Sequence, residues 1–141
     1  MRMDIFLDAR WTLSPVFAED RMARAVIASS IGYVPPQQRP GNRASYLEVN
    51  AVSVSVGQWE NMPGLHDWLA QHLRQPLIGA ECALDGAVLD DLETAIGQAK
   101  ASGNSALRDC SEEEIGYTLE VINAARRLRE SGWELFITAW C

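Results

Sequence analysis

The stretch Val56-Gly57-Gln58-Trp59-Glu60-Asn61-Met62-Pro63-Gly64-Leu65-His66-Asp67-Trp68-Leu69 constrains the fold most, because the period of the apolar residues changes inside it. Before it, Val52, Val54 and Val56 alternate with Ser53 and Ser55, the two-residue period of a strand. After it, Leu65, Trp68, Leu69 and His72 form one apolar stripe, and Met62, His66, Leu69 and Leu73 its neighbour, which is the period of a helix. His66 therefore falls on the edge of the buried face. Pro63 suits a first helical turn with Asn61 or Met62 as cap, and Pro76 cannot continue the helix. A strand must hand over directly to a helix here, so the fold mixes both.

The flanking chain adds elements of both kinds. Over 1–9, Met1, Met3, Ile5 and Leu7 alternate with Arg2, Asp4, Phe6 and Asp8, a half-buried strand. Ser14-Pro15 reads as a helix start, with Glu19 and Asp20 near the positive end of the dipole and Ala18, Met22, Ala25 and Val26 on one face that Ala23 and Ile27 widen. The segment 33–45 holds Pro35-Pro36 and Pro40-Gly41, and it predicts an irregular loop carrying Arg39 and Arg43 without an acid. Over 46–56 the alternation changes phase after Ala51, which predicts a β-bulge near 50–52.

Beyond Pro76, the segment 76–84 reads as a connection. Asp85 caps a helix with Val88, Leu89, Leu92, Ala95, Ile96 and Ala99 inward, ending at Gly103-Asn104. Ser111-Glu112-Glu113-Glu114 is a capping box that opens a helix with Ile115, Leu119, Ile122 and Leu128 toward the core and Thr118 and Ala125 beside them. Ser131-Gly132 stops it. The final run 133–140 is apolar on both faces and predicts an inner strand. Together these give an α+β domain over 1–141, a small, mainly antiparallel sheet with about four helices largely on one face.

Charge narrows the partners. With 19 acids against 12 bases the net charge is -7, which disfavours direct binding to nucleic acid or an anionic membrane and suits a basic protein partner. The candidate protein-interaction surface is acidic: Asp90, Asp91 and Glu93 on one helix, Glu112, Glu113 and Glu114 on the next. Three cysteines, Cys82, Cys110 and Cys141, without paired spacing argue against a disulfide framework and for a reducing cytoplasm. No segment reads as a membrane span or a signal peptide.

The motifs that carry chemistry are weak. A Cys–His nucleophile needs Cys82 or Cys110 beside His66 or His72, with Glu81 or Asp67 to orient the base. The spacing does not supply this, and no catalytic residue is assigned. A zinc site from His66, His72, Cys82 and Glu81 is disfavoured because the histidines lie six apart on a helix. No phosphate-cradling glycine loop or nucleophile elbow occurs, and no metal or cofactor is implied. Arg39, Arg43, Trp59, His66 and Trp140 form a possible ligand pocket, which would make the chain a small-molecule or nucleotide-signal binder.

Several segments resemble a small family of bacteriophage and mobile-element proteins. These are the first strand Met3-Asp4-Ile5-Phe6-Leu7, then Trp59, Leu65, His66 and Trp68, then Glu81-Cys82 ahead of a leucine-rich helix, and the closing strand Trp133-Glu134-Leu135-Phe136-Ile137-Thr138-Ala139-Trp140. The likeness covers the first strand and 54–140. The chain has Glu60-Asn61 where that family usually has basic residues, and 12–45 has no counterpart. Members often carry the label phosphoglycerate kinase, an activity this chain is too short to support. The resemblance implies a phage or prophage origin and brings no activity with it. The expectation is an accessory protein, such as an anti-CRISPR-type inhibitor, that binds a host or defence protein in the bacterial cytoplasm. A small Cys/His enzyme is the weaker alternative.

Overall fold

The computed structural model describes residues 2–13, 17–30, 51–102, 107 and 109–141. The expected cap Ser14-Pro15, the loop 33–45 with Arg39 and Arg43, the bulge near 50–52 and the stop at Gly103-Asn104 fall wholly or partly outside them. Among the described residues the elements follow in order: β1 (Asp4–Thr12), α1 (Ala18–Ser30), β2 (Ala51–Glu60), α2 (Pro63–Leu73), β3 (Cys82–Leu84), α3 (Gly86–Ser102), α4 (Glu112–Glu130) and β4 (Glu134–Trp140). The fold is α+β. Among the described residues a four-stranded antiparallel sheet has the order β2-β1-β4-β3.

The chain divides into two compact units, Met1–Arg10 with Val54–Cys141, and Trp11–Ser53. The first holds the hydrophobic core. In β1 the alternation puts Ile5, Leu7 and Ala9 inside, and in β4 it does the same for Leu135, Ile137 and Ala139. Their register is fixed by pairs such as Leu7 with Ile137 and Ile5 with Ala139. β4 is an inner strand between β1 and β3, as its two apolar faces predict. Leu65, Trp68 and Leu69 of α2, Leu89, Leu92, Ala95 and Ile96 of α3, and Val121, Ile122 and Ala125 of α4 close the same core.

The second unit contains α1. Its expected buried face is corrected in part. Met22 and Val26 are 70% and 66% exposed, whereas Ala23 and Ile27, expected to widen that face, are half-buried together with Asp20 and Arg24. The inward stripe is thus mixed in polarity, and Trp11 Nε1 donates to Asp20 Oδ1 at 3.4 Å within this unit.

Helix ends follow local chemistry. Asp85 Oδ1 accepts from the Val88 amide at 2.9 Å and opens α3. The capping box of α4 is complete. Ser111 Oγ accepts from the Glu114 amide at 3.1 Å, and the Ser111 amide donates to Glu114 Oε2 at 2.8 Å. At its other end Gly132 has φ +94°, its amide donates to Arg129 O, and the Trp133 amide donates to Leu128 O, a Schellman stop. α2 starts at Met62 without a side-chain cap, after Asn61 in the left-handed region at φ 52°.

The expected connection 76–84 is also corrected. It contributes β3, antiparallel to β4 through Ala83 and Phe136, and a parallel bridge from Ile78 to Ala139. Three strand residues are too few to show a period, so no alternation was there to be read.

Candidate functional site

α4 approaches β2 unusually closely, and the residues responsible are consecutive. A Cβ on Gly57 would lie 2.7 Å from Val121 Cγ1, so only glycine lets the helix seat there. The Gln58 amide donates to the Tyr117 hydroxyl at 2.9 Å. Trp59 Nε1 donates to Thr118 Oγ1 at 2.9 Å, and its ring meets Tyr117 edge-on at 5.9 Å. These contacts make Thr118 the one buried polar residue among those described, and they turn the inward face of α4 onto Thr118, Val121, Ile122 and Ala125. Ile115, Leu119 and Leu128, expected toward the core, pack against it half-buried.

Beside this seam, where β2 ends and α4 begins, lies a groove of about 530 Å³ lined by Gln58, Trp59, Glu60, Met62, Ser111, Glu113, Glu114 and Tyr117. Its charged lining residues, Glu60, Glu113 and Glu114, are all carboxylates. Glu114 is held by the capping box. Glu60 meets Arg2 at 3.0 Å, but both side chains are more than half exposed, so solvent screens the pair strongly. Among the described residues Glu112 and Glu113 have no cationic partner.

The other half of the acidic surface differs. Arg126 of α4 donates to Asp90 Oδ1 at 2.6 Å and also pairs with Glu93, both on α3. Hydrogen bonds to Asp90 and then to Glu93 push the Arg126 guanidinium pKa upward. Of the three acids on α3, only Asp91 stays unpaired among the described residues. The start of α3 lies against the end of α4, so the two helices are antiparallel. Glu112 is then about 21 Å along the axis from Arg126, fourteen residues at 1.5 Å each. The six acids taken as one surface form two separate clusters.

Of the expected ligand pocket, the described residues Trp59 and Trp140 do not come together. Trp59 is 3% exposed and sits in the core. Trp140 is 58% exposed, and its β4 neighbours Leu135, Ile137 and Ala139 point to the helix-covered face, so Trp140 points to the opposite one. Trp59 and Trp140 cannot line one cavity. His66 packs on the edge of the core with Nδ1 3.1 Å from Asp67 Oδ1 and Nε2 buried without a hydrogen-bond partner among the described residues. Arg39 and Arg43 lie outside the described residues.

The Cys–His pair fares no better. Cys82 is 1% exposed, its thiol points at the Pro76 carbonyl at 3.9 Å, and burial pushes its pKa up, which disfavours the thiolate a nucleophile needs. Burial, and then Glu114 and Asp109, push Cys110 the same way. His72 stacks on Trp68 with ring centroids 3.6 Å apart, and its Nδ1 faces the Trp68 carbonyl. Glu81 pairs with Arg10, which also lies 4.3 Å over the Phe136 ring. No group of three or more His, Cys, Asp or Glu able to hold a metal ion occurs among the described residues, and none of their helices is long and apolar enough to cross a membrane.

No family model, curated protein or solved structure matches the chain. Sequence reasoning named Glu113 and Glu114 but missed Tyr117, Gln58 and Glu60 as their neighbours. The available signal was Gly57 inside a strand, a mark of close backbone approach.

Proposed function

We propose that the chain is a binding protein, not a catalyst, and that it docks on a basic surface of another protein through the groove between the end of β2 and the start of α4. One observation carries the reading: every charged side chain lining that groove is a carboxylate, and Glu113, with Glu112 beside it, has no partner among the described residues. A lysine or arginine from a partner would meet Glu113 and Glu60, with the half-exposed Tyr117 ring as a wall for its stem or guanidinium. The Asp90–Glu93 cluster contributes less, because Arg126 already neutralises it locally.

In the fuller form of this proposal the chain is an accessory protein of a bacteriophage or other mobile element. It acts in the cytoplasm of the bacterial host and binds a host or defence protein. An anti-CRISPR-type inhibitor, filling a basic nucleic-acid groove by charge complementarity, is one version. The phage origin rests on the resemblance of the first strand and 54–140.

The test is capture from a bacterial lysate at low and high salt, comparing the native chain with a Glu112→Lys/Glu113→Lys variant, and with co-purified small molecules analysed in parallel. A stoichiometric protein partner, lost at high salt and lost by the variant, supports the reading. A retained nucleotide with no protein partner, or undiminished capture by the variant, overturns it.

A further inference from the structure

The two edges of the sheet are treated differently. At one edge, β3 is three residues long, with Glu81 before it and Asp85 after it. Short length and flanking charge are the usual ways to blunt an edge against pairing with another chain. At the other edge, β2 is ten residues long, and from Ala51 to Trp59 it carries no charged side chain and no proline, in a chain of net charge -7.

The direction of its free amides can be read from a single bond. The Gln58 N–H donates to the Tyr117 hydroxyl and not to a strand, so it points away from β1. Amide direction repeats every second residue along a strand, so the N–H and C=O groups of Val52, Val54 and Val56 also point outward. Among the described residues no strand pairs with that edge. Toward Gln58 the edge is closed by Tyr117. Toward Val54 no described residue pairs with it, and Ser53, Val54 and Ser55 are exposed.

We propose that this edge pairs with β2 of a second copy, as an antiparallel ladder with its twofold axis at Val54. Three properties on the page favour a second copy. The pattern is self-complementary: centred on Val54, Val52 faces Val56 of the other copy and Ser53 faces Ser55, so β-branched side chains pair with one another on one face. The ladder uses Val52 to Val56 and stops before Gln58, whose amide is already taken. Two chains of charge -7 repel over most of their surfaces, and this charge-free edge is where they can meet. The symmetric contact closes on itself and forms a dimer, not a fibre. A strand edge alone buries less than a standard interface, so the dimer is reversible.

Sedimentation equilibrium of the full chain from micromolar to millimolar concentration tests this, together with amide hydrogen exchange. The dimer fraction rises with concentration, and exchange at Val54 and Val56 slows in step, while Ser53 and Ser55, which face β1, do not respond. Val54→Pro removes one outward donor at an edge position where proline is tolerated, and it leaves a folded monomer by circular dichroism. Val54→Lys, which sets like charges across the axis, does the same. A native chain that stays monomeric throughout overturns the proposal. So does a Val54→Pro variant that unfolds, because its amide must then point inward, or one that dimerises as before.

Discussion

The two acidic clusters at opposite ends of the α3–α4 pair have similar composition and different character. Asp90 and Glu93 share one guanidinium from Arg126, whereas Glu112 and Glu113 have none among the described residues and flank a groove whose other charged lining is also acidic. In the sequence the clusters are equivalent runs of carboxylates. The antiparallel packing of two helices separates them: it delivers Arg126 to one end and leaves the other unbalanced. Formal charge counts acids, but availability for a partner depends on which acids the fold has already paired.

Reversing Glu112 and Glu113 to lysine carries the largest expected effect. It should lower affinity for a basic partner at least about tenfold, by losing charge pairs and adding repulsion. It should also cost the fold about 0.3–1 kcal/mol per residue, because both acids lie at the positive end of the α4 dipole. Capture and a thermal melt separate the two contributions.

Gly57→Ala attacks the groove from beneath. The added methyl meets Val121 at 2.7 Å, so either α4 shifts or β2 bends, and the expected loss is about 1–3 kcal/mol in denaturant unfolding. Ser111→Ala is milder. It deletes one side of the capping box, costs about 1 kcal/mol, and frees Glu114, which a melt and a change in helix-start amide exchange would show. The smallest effect belongs to Arg126→Gln. Its partners are largely exposed, so stability should change by about 0–1 kcal/mol. It should, however, turn the Asp90–Glu93 cluster into a second unpaired acidic surface and raise the salt sensitivity of binding. If salt sensitivity did not change, the two clusters would not differ as described.

Much of this fold was legible where a period ran long enough. The alternation of Ile5 and Leu7, the stripe of Leu65, Trp68 and Leu69, the Asp85 cap and the box at Ser111 all state their structure locally. β3 was not legible, because Cys82-Ala83-Leu84 is too short to show a period and forms through pairing with β4. The face of α1 was legible only in part, because Ala23 and Ile27 are half-buried but Met22 and Val26 are apolar yet exposed. The core face of α4 was legible in Ile122, Thr118 and Ala125, but the bond that buries Thr118, to Trp59 fifty-nine residues away, was not. For the site, the acids could be named from sequence, but their pairing could not. Whether Glu93 or Glu113 meets a cation is decided by tertiary packing.

The most direct test of the central claim is a binding titration of the captured partner against three proteins: native, Glu112→Lys/Glu113→Lys, and Asp90→Asn/Glu93→Gln. The account predicts that the first variant loses at least about tenfold in affinity while the second binds within about twofold of native, because its acids were already neutralised. Equal losses in both variants, or a larger loss in the second, would contradict it.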